Sequence, residues 1–229
     1  MIADGLSYPV SGDSVVGRLL IGSLLGFASV LVLPAFLLAG YLVRVLGSAA
    51  AGESVPPAFD DWGKMFVTGL QATVVAFVYG LVPVGLVVLL VVTVLSGAAV
   101  GGDAGGLLAG VGLLGALFAV VASVLVYYLV PAALTNLAVE GEIGAAFDLG
   151  RLKTVLFSGD YLLAWLVPVA LAVVTNVVTL LLIATVVGAL LVPVVQFYVQ
   201  VAVFYMFGRA YGEVIEAADG RTTAARAGV

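Results

Sequence analysis

Long stretches without a charged residue are the feature that most limits how this chain can fold. They cover residues 19–43, 65–102, 104–139 and 161–208. A helix of about 20 apolar residues spans a bilayer core of about 30 Å, whereas an apolar run of roughly 10–14 residues fits a buried helix of a soluble domain. Every stretch exceeds both lengths, and only 9% of the 229 residues are charged, against about 25% in soluble domains. The sequence therefore predicts an all-α, polytopic transmembrane helix bundle.

Five membrane spans are expected. The first covers about 16–45, the second lies within 65–95, and the third covers about 107–139. The last stretch would be about 72 Å long as one helix at 1.5 Å per residue, so we expect two spans with a turn within 185–191. The chain begins with acidic residues and its first apolar run is long, whereas a signal peptide has a basic start and a core of roughly 7–15 residues. The first span is therefore expected to be retained.

Each expected span contains one proline: Pro34, Pro83, Pro131, Pro168 and Pro193. A proline inside a helix removes a backbone hydrogen bond and kinks the helix. We expect the kinks to shape a compact bundle, and the alternative is that they form gating hinges or a broken-helix binding site.

Lys and Arg are distributed unequally between the two sides of such a bundle. With five spans, one side carries seven of them and the other carries only Arg18. Because cytoplasmic loops are enriched in Lys and Arg, we expect loops 46–63 and 140–160 and the C-terminus in the cytoplasm and the N-terminus outside, in a cell membrane. Residues 1–216 are expected to form a single transmembrane domain, followed by a disordered tail at 217–229.

Two repeat-like segments, about 41–95 and 128–184, share an order of features. The paired positions are Tyr41 with Tyr128, Gly52-Glu53 with Gly141-Glu142, and Phe59-Asp60 with Phe147-Asp148. Each segment is expected to contain a helix, a loop, a short interfacial helix and a second helix. Since two helices separate equivalent points, the two segments are expected to run parallel through the membrane.

The loops contain the candidates for helix capping or for docking of a partner: Phe59, Asp60, Asp61, Trp62, Phe147, Asp148, Arg151 and Lys153. We expect Asp148 to cap a short interfacial helix, with Phe147 packed on Leu152 as a hydrophobic staple. Asp160 is expected to cap the next span. The alternative is that Asp60, Asp61 and Asp148 form an acidic cluster that binds a cation or catalyses a reaction.

The middle of every predicted span lacks charge, which disfavours ion coupling, proton relay and voltage sensing. The uncharged polar residues of the spans are expected to form hydrogen bonds between helices. The alternative is that four of them line a path for a neutral solute: Asn136, Asn176, Gln196 and Gln200. GxxxG patterns at 22–26 and 106–110 predict close helix packing.

The chemical inventory is otherwise sparse. Without Cys or His, disulfides and most zinc or haem sites are excluded, and we identify no catalytic, metal or cofactor site. No basic patch indicates nucleic acid as a partner. We expect a non-enzymatic scaffold or accessory protein in the lipid bilayer, whose cytoplasmic loops dock another membrane protein or a second copy of the chain. The alternative is a small carrier or channel for a neutral or lipid-like solute.

Several short motifs carry a family resemblance: Tyr8-Pro9, GYLVRVL at 40–46, PAFDDWG at 57–63, GAAFDLG at 144–150, GDYLLAWL at 159–166 and FGRAYGE at 207–213. On these motifs the chain resembles the domain of unknown function (DUF) 4013 family, multi-pass membrane proteins found largely in archaea, halophiles especially. The resemblance reaches to about Glu216 and implies an integral membrane protein without an assigned activity. A halophilic source would agree with a pI of about 4.4.

Overall fold

The computed structural model describes residues 2–227, apart from the side chains of Val169 and of residues 221–227. The α-helices are α1 (Ile2–Ser7), α2 (Val15–Phe27), α3 (Val32–Ala50), α4 (Trp62–Val100), α5 (Gly102–Glu140), α6 (Leu149–Leu156), α7 (Gly159–Ile183) and α8 (Val186–Ala227). Short 3-10 helices cover Tyr8–Val10, Ala28–Val30 and Ile143–Phe147, and no strand occurs within the described residues. Within residues 2–227, five helices are long and apolar enough to cross a membrane, namely α3, α4, α5, α7 and α8. The predicted all-α polytopic bundle is confirmed.

The first span differs from the prediction of one helix over 16–45. Helix α2 ends before the 3-10 helix Ala28–Val30, and the extended backbone of Leu31 (φ −88°, ψ 137°) separates it from α3. Pro34 explains the break. Its ring would clash with the carbonyl group four residues earlier in a continuous helix, whereas proline is tolerated in a first turn. Pro34 therefore lies in the first turn of α3 and not in the middle of a span.

Helices α2 and α3 form a hairpin, because the segment before α2 lies beside the loop after α3. The Tyr8 hydroxyl donates a hydrogen bond to the carbonyl oxygen of Val55 (3.3 Å). At the start of α2, buried Arg18 donates to the carbonyl oxygens of Pro9 (3.0 Å) and Ser11 (2.6 Å). The prediction that the N-terminus and the loop after the first span lie on opposite sides is therefore wrong.

Helices α7 and α8 form a second hairpin. Its turn consists of Ala184 and Thr185 and overlaps the predicted window 185–191 only at Thr185, because α8 already begins at Val186. Helix α8 also packs closely along α3, since a Cβ atom on Gly208 or Gly212 would collide with the α3 backbone. This central position makes α8 the element that joins the two hairpins.

The chain forms two compact units. The larger unit contains Met1–Thr73 and Pro131–Val229, and the hairpin unit contains Val74–Val130. Within the hairpin unit, α4 and α5 are joined at Gly101. The glycine-rich sequence of residues 97–106 is thus helical on both sides of this one residue.

The last helix extends beyond Glu216, where the sequence predicted the disordered tail 217–229. Residues 217–227 continue α8, and residues 228–229 lie outside the described residues. The alanines and arginines of this segment favour a helix, and no proline ends it.

The two repeat-like segments share one backbone feature. Both α3 and α5 are followed by a glycine with a positive φ, +83° at Gly52 and +75° at Gly141, a conformation that glycine adopts readily at helix ends. The segments then differ, because α4 begins directly at Trp62 whereas α6 is a separate short helix before α7.

Candidate functional site at the base of the larger unit

Loops and helix ends of the larger unit meet at one of its ends, here called the base (residues 4–18, 51–64, 136–161 and 205–219). Tyr8 stacks on Tyr205 with 4.0 Å between ring centroids, and Tyr211 in α8 hydrogen bonds to Asn136 in α5. A Cβ atom on Gly52 would lie 3.4 Å from the Arg209 guanidinium. The base is therefore one continuous surface to which both predicted loops and the N-terminal segment contribute.

An ion pair clamps the loop between α3 and α4. Arg44 donates to the carboxylate of Asp60 (2.7 Å) and to its carbonyl oxygen (2.8 Å), and also to the carbonyl oxygen of Asp61 (3.3 Å). Asp60 thus holds the loop against α3, while the Asp61 carboxylate accepts from the backbone N–H of Lys64 (3.3 Å) at the start of α4. Of the two predicted capping acids here, Asp61 has the capping contact.

Aromatic side chains fasten the same loop to the core. The ring of Phe59 lies 4.0 Å from that of buried Tyr41 and nearly parallel to it, and the Tyr41 hydroxyl donates to the carbonyl oxygen of Pro57 (3.3 Å). Phe197 of α8 packs beside both rings, and Trp62 continues the cluster while remaining 43% exposed. Of the two predicted docking aromatics in this loop, Phe59 is half-buried and Trp62 is accessible.

Asn136 fixes the second loop. Its side chain is 1% exposed and donates to the carbonyl oxygen of Ala145 (2.5 Å), while its carbonyl oxygen accepts from the Tyr211 hydroxyl (2.8 Å). The residue therefore joins α5, the 3-10 helix Ile143–Phe147 and α8 at the base.

Asp148 caps α6, as predicted. Its carboxylate accepts from the backbone N–H groups of Gly150 (2.9 Å) and Arg151 (3.2 Å). The Arg151 side chain forms an ion pair with Glu140. Helix α6 packs against the protein through buried Leu152 and Val155.

Helix α6 also presents exposed groups. Lys153 and Leu149 are exposed, Phe147 is partly exposed, and Phe157 after the helix is 87% exposed. The next helix is capped by Ser158, whose hydroxyl accepts from the backbone N–H of Tyr161 (3.2 Å). The expectation that Asp160 is the cap is wrong, because the helix begins at Gly159 and Asp160 lies in its first turn.

The remaining amides of the predicted polar lining have separate surroundings. Exposed Asn176 donates to Ala172 of its own helix (2.7 Å). Gln196 donates to the Thr179 hydroxyl (3.1 Å) and so joins α7 to α8, and Gln200 is half-buried. The alternative acidic cluster is not assembled either: within the described residues, no group of three or more His, Cys, Asp or Glu residues is placed to hold a metal ion.

Sequence reasoning missed a cleft of about 740 Å³ at the base, between α3, the start of α4 and the end of α5. Its polar lining comes from Arg44, Ser48, Asp60, Asp61, Lys64, Thr68 and Gln71. The spacing of Lys64, Thr68 and Gln71, at i, i+4 and i+7, places them on one face of α4. The cleft could have been predicted from this spacing of polar residues on one face of α4.

Together these features define a polytopic α-helical membrane protein with a folded, charged base. The family model of DUF4013, described as a protein of unknown function, matches residues 24–184. This range is more than half of the chain, and the chain belongs to this family. Comparison with curated proteins and with solved structures gives no match. Helix α8 follows the matched range, although it supplies Phe197 and Tyr211 to the base and core.

Proposed function

We propose that this protein is a non-enzymatic accessory or scaffold protein of the cell membrane that binds a partner membrane protein through its base. The observation that carries the proposal is that contacts within the protein itself hold both loops in place. Arg44 clamps one loop through Asp60, and Asn136 fixes the other through Ala145 and Tyr211. A preordered surface loses less conformational entropy on binding than a mobile one.

The distribution of charge supports a cytoplasmic position for the base. Among the eight Lys and Arg residues, none lies between Lys64 and Arg151 or between Lys153 and Arg209. These two gaps contain the whole hairpin unit and the turn between α7 and α8. Because Arg18 also lies at the base, the charge bias is stronger than a five-span count alone indicates. By the positive-inside rule, this bias supports a cytoplasmic position for the base.

Exposed groups on the base supply the contacts that a partner needs. Phe157 is 87% exposed, and Trp62 and Leu149 are also accessible. Lys153 provides an exposed charge four residues from both Leu149 and Phe157. Aromatic residues are enriched in the binding hot spots of protein interfaces. The carrier alternative is less well supported, because Asn136, Asn176 and Gln196 have separate hydrogen-bond partners instead of lining a common path.

The test is native mass spectrometry of the protein extracted gently from its own membranes. The wild-type chain is expected as a stoichiometric complex with a second membrane protein. The double variant Phe157→Ala and Lys153→Glu should lose that partner. The matched control is Phe118→Ala, which removes an aromatic side chain that is 64% exposed in the hairpin unit, and it should keep the partner.

Two results would overturn the proposal. One is a wild-type protein that carries no second protein. The other is a complex that survives the double variant and is lost in Phe118→Ala, because binding would then depend on the apolar hairpin and not on the base.

A further inference from the structure

The base cleft contains polar groups that the protein leaves unused. Ser48, Lys64, Thr68 and Gln71 line the cleft, and none of these four side chains has a hydrogen bond or ion pair to another described residue. Helical hydroxyl groups elsewhere in the chain do bond to the carbonyl oxygen four residues earlier, as Thr73 and Thr135 do. The free donors of the cleft are therefore available to a ligand.

Opposite charges lie next to each other in the cleft. Arg44 is paired with Asp60. Among the described residues, the Lys64 ammonium has no ion-pair partner, and the Asp61 carboxylate accepts one hydrogen bond, from the backbone N–H of Lys64. The four charged groups sum to zero formal charge. Such a site is complementary to a zwitterion whose phosphate meets Lys64 and the hydroxyl groups and whose amine meets Asp61.

The cleft also opens beside an apolar surface. Val67 lies in its wall and is 53% exposed, and Leu70, one turn further along α4, is 44% exposed. Buried Val43 and Leu137 line its interior. Because α4 is a candidate membrane span, its exposed apolar side faces hydrocarbon, and acyl chains could continue from the cleft along this side.

We propose that this cleft binds one membrane phospholipid whose zwitterionic headgroup carries a primary amine. The phosphate is held by Lys64, Ser48 and Thr68, the amine by Asp61, and the acyl chains lie along Val67 and Leu70. A volume of about 740 Å³ falls within the roughly 300–1,000 Å³ of small-molecule sites. This lipid site goes beyond the proposed scaffold role and does not depend on it.

The experiment reconstitutes the full chain into vesicles containing equal amounts of phosphatidylethanolamine, phosphatidylcholine and phosphatidylglycerol, followed by mild detergent extraction and native mass spectrometry. One phosphatidylethanolamine per protomer is expected to be retained. Lys64→Gln should reduce retention about tenfold, since a hydrogen bond to a charged group contributes about that factor. The matched control, Lys153→Gln, removes an exposed lysine outside the cleft and should leave retention of the lipid unchanged, since the vesicles contain no partner protein.

Two further variants separate the parts of the site. Thr68→Val keeps the side-chain shape and should weaken retention of phosphatidylethanolamine. Asp61→Asn keeps the capping ability, and asparagine tolerates the positive φ of 45° at this position. This variant should abolish the preference of the cleft for phosphatidylethanolamine over phosphatidylcholine. Equal retention of all three lipids by the wild type would overturn the proposal, as would equal retention in Lys64→Gln and Lys153→Gln. Soluble glycerophosphoethanolamine that binds as tightly as the lipid would overturn the assignment to a membrane lipid.

Discussion

Replacing Asn136 by alanine should destabilise the protein far more than the same change at Asn176. Asn136 is buried and makes two hydrogen bonds, to Ala145 and Tyr211. Asn176 is exposed, and its one side-chain hydrogen bond to a described residue is to Ala172 of its own helix. The pair therefore compares one amide side chain in two environments.

Asn136→Ala is expected to lower the free energy of unfolding by about 2–4 kcal/mol. Two hydrogen bonds contribute about 0.5–1.5 kcal/mol each, and a buried group left without its partner costs about 1–3 kcal/mol. The buried Tyr211 hydroxyl is the group most affected. At Asn176 we expect a change within about 0.5 kcal/mol, as at other exposed positions.

The assay is reversible unfolding in mixed micelles by titration with sodium dodecyl sulfate, followed by the fluorescence of the two tryptophans. Tyr211→Phe provides a second variant that removes the hydroxyl and retains the ring. Because the two residues share a hydrogen bond, the double variant Asn136→Ala and Tyr211→Phe should cost less than the sum of the single changes. The role assigned to Asn136 would be refuted if the free energy of unfolding of Asn136→Ala lay within about 0.5 kcal/mol of the wild-type value. It would also be refuted if Asn176→Ala lowered the free energy of unfolding by the same amount as Asn136→Ala.

Three other predictions concern packing, capping and topology. Gly40→Ala should destabilise the protein by about 1–3 kcal/mol, because the added Cβ atom would collide with the carbonyl oxygen of Met65. In the same titration, Gly17→Ala should be neutral or slightly stabilising, because its Cβ atom would meet no atom of the described residues within 4 Å. Asp148→Ala should cost about 1 kcal/mol and Asp148→Asn almost nothing, since Asn caps as well as Asp; equal losses would disprove the cap. The chain has no native cysteine, so Asp13→Cys can be labelled with a membrane-impermeant maleimide. It should react from the same side as Ser54→Cys, and reaction from the opposite side would contradict the α2–α3 hairpin.

The number of spans and the Asp148 cap were accessible from sequence because each rests on local information. Helix length and hydropathy identify a span, and a short acidic side chain before an amphipathic segment identifies a cap. The break at Leu31 was missed because the apolar stretch continues through it without a change in composition. Pro34 was recognised, but as a kink within one span and not as the first turn of a new helix.

Contacts between helices could not be read from the pattern along one helix. The two GxxxG matches indicated close packing, and Gly22 does approach α8, since a Cβ atom there would collide with Phe197. Cβ atoms on Gly26, Gly106 and Gly110, in contrast, would meet no atom of the described residues within 4 Å. The close approach instead involves Gly40 and Gly69, where α3 and α4 meet backbone to backbone. The hydrogen-bond partners of the four candidate lining amides could not be predicted for the same reason. Periodicity assigns Asn136 to a helix face but does not give its partner in α8.

The hairpin of α2 and α3 has a consequence for membrane insertion. At 1.5 Å per residue, α2 is about 20 Å long, short of the roughly 30 Å hydrocarbon core, so it is unsuited to enter the bilayer as an independent crossing. If it enters together with α3, the charged groups of Asp4, Asp13 and Arg18 stay on the side where the loop after α3 emerges. Translocation of these charges through hydrocarbon, which is costly for each of them, is then never required.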